Sequence, residues 1–407
     1  MAIIVQKYGG SSVADIDKMA LVADKVVATR RAGHDVVVTV SAMGKATDNL
    51  LALARSAALV GGVQHDPPRR ELDMLLSTGE RVSMSLLSIA VQARGEQAIS
   101  FTGSQSGIIT NDRHFDARII EVRPHRVEDE LSRGKIVIVA GYQGMSYRRD
   151  ITTLGRGGSD TTAVALAAAL GAVQCEIYSD VDGVYSADPR VVPDARHLPA
   201  VDYAVLQEMA ECGAKVLNAQ AVEWARKANV RIHARSTFDA WQDAPRPPRE
   251  TVAGSSLPAI AVRAIVGESN LVLGTLEGGA GPLADLARVA CDRELPLKDL
   301  DVGGARTTFL LSLLNVPDWS AARRTLEGAL HAAKLELTEG LASASVVGDG
   351  LSTTGAPLLR FLDALRDAGI AARRVTANAL RLTAVIDAHR LADAQRALHA
   401  AFVTEIA

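Results

Sequence analysis

Two different rhythms of apolar and polar residues divide the chain near residue 240. Before that point, short apolar runs alternate with longer segments in which apolar residues recur every three or four positions. Short apolar runs are typical of strands buried on both faces, and the second spacing is typical of helices packed on them. The predicted strands are 3–5, 36–40, 136–140, 176–178 and 230–233, and the predicted helices are 13–30, 50–59, 72–93, 161–170, 201–213 and 215–229.

Strands separated by single helices predict a mostly parallel sheet that is covered on both faces. Residues 241–259 are rich in Pro, Gly and Ser and predict a linker. Beyond it, shorter units follow the order β-α-β-β-α over 271–330, and that order repeats over 344–402. We therefore expect a domain at 1–240, a linker at 241–259, and ferredoxin-like α+β modules at 260–340 and 341–407.

The composition narrows the class of protein. Hydrophobic residues make up 48% and charged residues 22%, which is typical of a globular chain. A net charge of −3 argues against a nucleic-acid protein that relies on a basic surface. No apolar run reaches the roughly 20 residues that span a bilayer, and no signal peptide is recognisable at the start. Because the three cysteines are scattered, we expect a reducing, cytoplasmic setting.

Glycine-containing loops follow four of the strands, at the edge where open α/β sheets bind ligands. The first loop begins at Lys7 and contains Gly9 and Gly10 directly before a helix, which suits a phosphate. A surface lysine beside a tight turn explains it equally well. The second loop, 41–48, begins at Ser41 and contains Thr47. Its hydroxyl and carboxylate groups could simply cap the next helix.

The third and fourth loops carry more charge. The third, 152–162, holds three glycines together with Arg156 and Asp160. Its arginine offers a bidentate grip on a carboxylate, which helix capping alone does not explain. The fourth, 179–190, contains Tyr185, which could cover a purine ring, and Arg190, which could reach a phosphate. A solvated acidic turn is the alternative for this loop. None of the four has the spacing of a P-loop, and the protein-kinase motifs are absent.

Taken together, these loops resemble those of the aspartate kinase family. The resemblance spans nearly the whole N-terminal domain, with its motifs in the family's order and spacing. The matching stretches are QKYGGSSV (6–13), VTVSAMGKATDNLL (38–51), LLSTGERVS (75–83), FTGSQSGIIT (101–110), VAGYQG (139–144), TTLGRGGSDTTAVALAAALGA (152–172), YSDVDGVYSADPR (178–190) and GAKVL (213–217). The C-terminal region looks like the family's paired ACT modules, less closely.

The resemblance implies the amino-acid-kinase fold, a three-layer α/β/α sandwich followed by two ACT modules, and transfer of the ATP γ-phosphoryl group to the β-carboxylate of L-aspartate. By the same resemblance, the catalytic residues are Lys7, Asp160 and Lys215. The residues implied to bind aspartate are Thr47, Glu80, Arg156 and Ser159, and those implied to bind the nucleotide are Lys7, Gly9, Gly10, Ser41, Ser179, Asp180, Tyr185, Arg190 and Lys215.

Several further expectations depend on the resemblance. Mg²⁺ would be held largely by ATP phosphates and water, because the sequence offers no dedicated carboxylate cage. A homodimer or homotetramer through the ACT modules is implied. The family's usual His-Pro is Asn218-Ala219 here, which affects local helix packing. In the family, a turn in the first ACT module binds an inhibitory amino acid. The corresponding turn here is 278-GGAG-281, which has no side chain to contact the ammonium of that amino acid, so we expect lysine and threonine to inhibit the kinase only weakly.

Two other functions remain open from the sequence. A kinase of this fold could phosphorylate a different small carboxylate, although Glu80 and the third loop match the aspartate branch. A catalytically inactive, ligand-sensing subunit is the non-enzymatic alternative. The presence of Lys7, Arg156, Asp160 and Lys215 argues against it. The expected pathway leads to lysine, threonine and methionine, or to a dedicated secondary product.

Overall fold

A computed structural model describes residues 1–214, 217–239, 249–255, 264–278 and 280–403 of the chain. Their contacts divide the chain into two compact units. The first comprises Met1–Tyr185, His197–Ala210 and Lys215–Ile260, and the second comprises Ser186–Arg196, Glu211–Ala214 and Ala261–Ala407. Most of the predicted linker, as well as Lys215, lies outside the described residues, and the predicted domain boundaries stay a prediction.

The first unit alternates strands and helices. Its helices are α1 (Ile16–Arg31), α2 (Ala46–Ala57), α3 (Arg69–Leu76), α4 (Thr78–Gln92), α5 (His125–Ser132), α6 (Gly158–Ala169), α7 (Tyr203–Glu211) and α8 (Ala219–Ala228). Its strands are β1 (Ile3–Tyr8), β2 (Asp35–Val40), β3 (Leu59–Val60), β4 (Val63–Gln64), β5 (Ala98–Phe101), β6 (Ile108–Thr110), β7 (Ile119–Val122), β8 (Ile136–Ala140), β9 (Gln143–Ser146), β10 (Ile151–Thr153), β11 (Gln174–Ser179), β12 (Val184–Tyr185), β13 (His197–Leu198), β14 (Ala200–Asp202), β15 (Ile232–Ser236) and β16 (Glu250–Gly254).

The main sheet of this unit is mostly parallel, as predicted. Within the described residues its order is β14-β16-β15-β11-β1-β2-β8-β5, and only β15 and β16 are antiparallel neighbours. Apolar side chains of α1 and α4, such as Val22 and Leu87, pack on one face with Val38 and Ile138 of the strands. Helix α6 packs on β1 from the other face. The fold is therefore the three-layer sandwich that the resemblance implied.

Two predicted helices differ from the structure for tertiary reasons. Residues 72–93 form two helices rather than one, with the break at Ser77. The carbonyl of Ser77 accepts a hydrogen bond from Gln143 Nε2 at 2.8 Å, across the fold. Residues 201–213 begin not as helix but as β14, because this strand pairs with β16 some fifty residues later in the chain.

The second unit contains helices on an antiparallel sheet. Its helices are α9 (Leu283–Asp292), α10 (Trp319–Ala329), α11 (Ala356–Asp367) and α12 (Leu391–Phe402), with short 3₁₀ turns at His331–Ala333 and Ala388–Arg390. Its strands are β17 (Ala264–Glu277), β18 (Leu297–Val302), β19 (Arg306–Ser312), β20 (Glu336–Val347), β21 (Arg374–Ala377) and β22 (Arg381–Asp387). Among the described residues they form one sheet in the order β18-β19-β17-β20-β22-β21.

Strand β17 belongs to both halves of this sheet. Its first part, 264–268, pairs with 343–347 of β20, and its second part, 271–277, pairs with β19. Separate apolar cores lie under the two halves: one contains Leu286 of α9 and Leu326 of α10, and the other contains Phe361 of α11 and Leu398 of α12. The paired helices and strands agree with two ACT-like modules that share one continuous sheet.

No helix among the described residues is both long enough and apolar enough to cross a membrane.

Candidate active site

Four parallel strands end at one edge of the main sheet. Strand β1 lies between β11 and β2, and β8 follows β2, so their carboxyl ends are neighbours. Lys7 stands level with Thr39 of β2 and Ile177 of β11. The first, second and fourth loops, which follow β1, β2 and β11, therefore meet at this edge, whereas the third loop follows β10 of a smaller sheet.

A buried ion pair lies at the centre of the edge. Lys7 Nζ is 2.6 Å from Asp160 Oδ1, and the two side chains are only 11% and 8% exposed. Asp160 lies in the first turn of α6, where the helix dipole favours a carboxylate. The pair fixes the lysine ammonium beside a helix N-terminus, so an anion brought to this edge would meet a positioned positive charge.

The first two loops are hydrogen-bonded to each other. The amide of Gly44 donates to the carbonyl of Gly10 at 3.0 Å, and the amide of Ser41 donates to Tyr8 at 3.1 Å. A Cβ added at Gly10 would lie 2.8 Å from the carbonyl oxygen of Ala42, so a larger residue would separate these loops. The amide of Gly9, predicted to serve a phosphate, donates to the carbonyl of Tyr178 at 3.1 Å in this structure.

Glu80 is a buried carboxyl beside the second loop. It lies in the first turn of α4, is 3% exposed, and accepts the amide of Ala42 through Oε1 at 3.1 Å. Its Oε2 is buried and has no hydrogen-bond partner among the described residues. Burial raises the pKa of Glu80 to about 7. Thr47, predicted to share a ligand with Glu80, is half-buried in the first turn of α2.

The third loop leads directly into α6. Gly157 adopts a left-handed conformation with φ 76°, and the exposed Arg156 precedes it. The carbonyl of Arg156 accepts a hydrogen bond from Asn218 Nδ2 at 2.7 Å. Ser159 is buried and lies close to the end of β8: a Cβ added at Gly141 would be 2.8 Å from its side chain. Arg156 and Ser159 are therefore placed on either side of the helix start.

Asn218, where the resemblance predicted a histidine, makes two side-chain hydrogen bonds. Its side chain accepts the amide of Gln220 at 2.8 Å, which caps α8, and also donates to the third loop. One asparagine thus connects the start of α8 with the loop that carries Arg156. Lys215, three residues earlier, lies outside the described residues.

The fourth loop is divided between the two units. Ser179 ends β11, and its hydroxyl accepts the amide of Val181 at 3.2 Å, while Asp180 is exposed. The Tyr185 hydroxyl donates to Asp182 Oδ1 at 2.6 Å. Arg190 lies in the segment that belongs to the second unit. Its guanidinium donates twice to Asp188, at 3.0 and 2.9 Å.

A second buried carboxyl, that of Asp73, was not identified from the sequence. Asp73 of α3 is fully buried and accepts hydrogen bonds from Thr153 Oγ1 at 2.5 Å and from the amide of Phe115 at 3.0 Å. His114 Nδ1 lies 2.6 Å from its other oxygen. Burial raises the pKa of Asp73 to about 6. The sequence feature that could have indicated this buried carboxyl is the position of Asp73 beside Leu72, on the apolar side of a predicted helix.

Another missed network lies on the α1 face of the main sheet. Glu176 accepts hydrogen bonds from Gln6 at 2.8 Å and from Tyr178 at 3.1 Å, and it pairs with Arg235. The rings of Tyr8 and Tyr178 stack with centroids 4.8 Å apart. These contacts join β1, β11 and β15, so they hold in place the strands from which the first and fourth loops emerge.

The described residues contain no group of three or more His, Cys, Asp or Glu side chains arranged to hold a metal ion. At the edge of the sheet, Asp160 is already paired with Lys7.

The sequence profile described as the amino acid kinase family matches residues 2–236. The aspartokinase of Mycolicibacterium smegmatis is 41% identical over 99% of this chain and 96% of its own length. The chain belongs to the aspartokinase family. The aspartokinase of Mycobacterium tuberculosis is 40% identical over the same shares of the two chains. Similarity of this degree over the whole length makes this chain a kinase that acts on aspartate.

A solved structure of the aspartokinase family agrees with this assignment. Aspartokinase III of E. coli, in its complex with aspartate and ADP, matches with a TM-score of 0.85 and 25% identity. The match covers 98% of this chain and 99% of the E. coli chain. The aspartokinase fold therefore extends through both units, including the helices and strands of the C-terminal modules.

Proposed function

We propose that the protein transfers the γ-phosphoryl group of ATP to the β-carboxylate of L-aspartate and forms 4-phospho-L-aspartate at the edge of the main sheet described above. The observation that carries this proposal is the buried Lys7–Asp160 pair, which places an ammonium where four strand ends meet. The E. coli relative is described in complex with aspartate and ADP, which supports the two substrates.

The reaction needs positioning and charge neutralisation more than proton transfer. A carboxylate oxygen is already a nucleophile near pH 7, so no general base is required. Negative charge spreads over the transferring phosphoryl group in the transition state. Lys7 stabilises that charge, and Asp160 holds the ammonium in position. Lys215 supplies a second positive charge in this proposal.

Aspartate is held by groups of both signs. The unpartnered Oε2 of Glu80 offers an acceptor for its α-ammonium. Arg156, held at its carbonyl by Asn218, offers a bidentate grip on the α-carboxylate. Thr47 and Ser159 lie in the first turns of α2 and α6 and add hydroxyl donors. The β-carboxylate is then free to face the phosphoryl group.

In this proposal the nucleotide binds at the same edge of the sheet, on the side away from the aspartate contacts. Its contacts are assigned to the loops that begin at Lys7, Ser41 and Ser179, including Gly9, Gly10, Asp180, Tyr185 and Arg190. Mg²⁺, bound through the phosphates of ATP, supplies further charge neutralisation.

The test is formation of aspartyl phosphate, trapped by hydroxylamine as a hydroxamate, with aspartate, glutamate and N-acetylglutamate compared as acceptors. Replacing Lys7 with Met should lower the rate with aspartate by about 10²–10³-fold or more, because the charge on the phosphoryl group loses its partner. Lys18→Met, a lysine of α1 that is 40% exposed, is the matched control and should keep its activity.

Because Lys7→Met leaves Asp160 buried without its partner, the double variant Lys7→Met/Asp160→Asn keeps the result interpretable. It removes both charges and should fold, as thermal unfolding can confirm, yet remain inactive. Activity of the folded double variant close to that of the unmodified protein would exclude the proposed mechanism.

We also propose that the protein forms a homodimer or homotetramer through its C-terminal modules. We place it in the cytoplasm. Its reaction would be the first step toward lysine, threonine and methionine, or toward a dedicated secondary product. Light scattering at micromolar concentration should give a mass of at least twice 42.9 kDa. A single species at the monomer mass would contradict the proposed assembly.

A further inference from the structure

Helices α9 to α12 pack on one face of the sheet of the second unit. Val272, Leu276 and Phe309 lie in the core with α9 and α10, and Leu382 lies in the core with α11 and α12. Since side chains alternate along a strand, the neighbours of these residues project from the opposite face. On that opposite face, Leu271, Leu310, Leu341 and Val385 are buried in a smaller apolar cluster.

A cavity of about 590 Å³ also lies on this opposite face. It is lined by β18 and β21, the two edge strands, and by residues of the strands between them. Asp299 of β18 accepts a hydrogen bond from Arg381 of β22 at 2.6 Å, so the two halves of the sheet are tied together at the cavity. The floor contains Leu273, Thr275 and Thr308. The cavity is therefore built by one chain from both ACT-like modules.

Arginines dominate the charge of this cavity. Four of them line it against two aspartates: Arg306, Arg373, Arg374 and Arg381, with Asp299 and Asp301. Arg373 also pairs with Asp387, outside the lining. The lining thus carries an excess of positive charge, in a chain whose net charge is negative.

Two polar atoms in the cavity wall lack hydrogen-bond partners. Nη1 of Arg374 and Oγ1 of Thr376 are both buried, and neither has a partner among the described residues. The two residues alternate along β21, so their side chains lie on the same face of the sheet. A buried polar group without a partner costs free energy, and a charged one costs more. A ligand that accepts hydrogen bonds from both would remove that cost.

We propose that this cavity binds a small anion with at least two negative charges, either a phosphate compound or a polycarboxylate, through Arg374 and Thr376. The planar guanidinium of Arg374 matches the geometry of both ligand classes. Arg306 adds charge from the facing strand. A free amino acid carries an ammonium as well, which the positive lining repels, and Asp299 is already engaged by Arg381.

The proposal is tested by calorimetry on the full chain without nucleotide or Mg²⁺, with inorganic phosphate and citrate as the two probes. At least one probe should bind with a Kd below about 1 mM, and the tighter one identifies the ligand class. Arg374→Gln should weaken that binding at least tenfold. Arg366→Gln, which removes the same charge from the exposed surface of α11, is the matched control and should change the Kd less than twofold.

A second pair of variants tests a change of affinity in the opposite direction, and neither variant replaces a buried residue. Asp301→Asn removes a negative charge from the lining at an exposed position and should tighten binding. Asp292→Asn, exposed at the end of α9 and outside the lining, should have no effect. Binding that is absent for both probes, or equally sensitive to Arg374→Gln and Arg366→Gln, would overturn the proposal. So would an unchanged Kd in Asp301→Asn.

Discussion

Glu80 is a carboxyl whose burial places its pKa at about 7, close to physiological pH. In the proposed site only the carboxylate form can accept the ammonium of aspartate. The apparent affinity for aspartate should therefore fall as the pH decreases through 7. Glu80→Gln should weaken aspartate binding by about 10–150-fold, the cost of one charge-assisted hydrogen bond, and should flatten this pH dependence. Initial rates at several aspartate concentrations between pH 6 and pH 8 measure both effects.

Thermal unfolding of the same variant separates binding from folding. A pKa above the ordinary value of 4.5 means that the folded protein holds this proton more tightly than the unfolded chain. The contribution of Glu80 to stability is therefore complete below about pH 4.5 and is lost as the pH rises through 7. Glu80→Gln should gain stability relative to the unmodified protein at pH 8 compared with pH 5. Glu71→Gln, exposed in the first turn of α3, should show no such change.

At the scale of one helix, the start of α6 depends on Gly157. A Cβ at this position would lie 2.8 Å from the side chain of Asn218, and φ is already 76°. Gly157→Ala should therefore combine left-handed strain, about 1 kcal/mol or more, with a displaced third loop. We expect lower stability and a raised KM for aspartate. Chemical denaturation and initial rates are the measurements.

Gly171→Ala is the matched control for this prediction. Gly171 also has a positive φ, of 59°, but a Cβ there would meet nothing within 4 Å. It should show the loss of stability from strain without the change in KM. If the two variants had the same KM, the contact between Gly157 and Asn218 would not position the aspartate site.

The same elements show how far the sequence could predict the site. From the sequence, a surface lysine beside a tight turn explained Lys7 equally well, and the ion pair with Asp160 is what the structure adds. The contact of Asn218 with the third loop could not be predicted, since it joins positions 62 apart in the chain. Likewise, no residue near Ser77 in the sequence predicts the end of α3 at this point, where the side chain of Gln143 donates a hydrogen bond to the carbonyl of Ser77.

At the scale of the whole molecule, regulation by end products is predicted to be weak. Asp299 of the first ACT-like module is a carboxylate that could replace the side chain missing from the turn at 278–281. It is paired with Arg381 at 2.6 Å and so is not available to the ammonium of lysine or threonine. Kinase activity should persist with lysine, threonine, or both together at about ten millimolar, where an affinity weakened 10–150-fold leaves little inhibition. Half-inhibition below about one millimolar would show that another group rebuilds the effector site.

The strand β17 has a consequence for how this architecture can be inherited or engineered. Residues 264–268 complete the half of the sheet that contains β20 and β22, although the other half lies between them in the sequence. A fragment excised at residue 341 would lose that strand and expose the edge of β20, which invites aggregation. Recombination at the apparent repeat boundary therefore produces a module without its edge-covering strand. Only a segment that carries all six strands can be exchanged between proteins with its sheet intact.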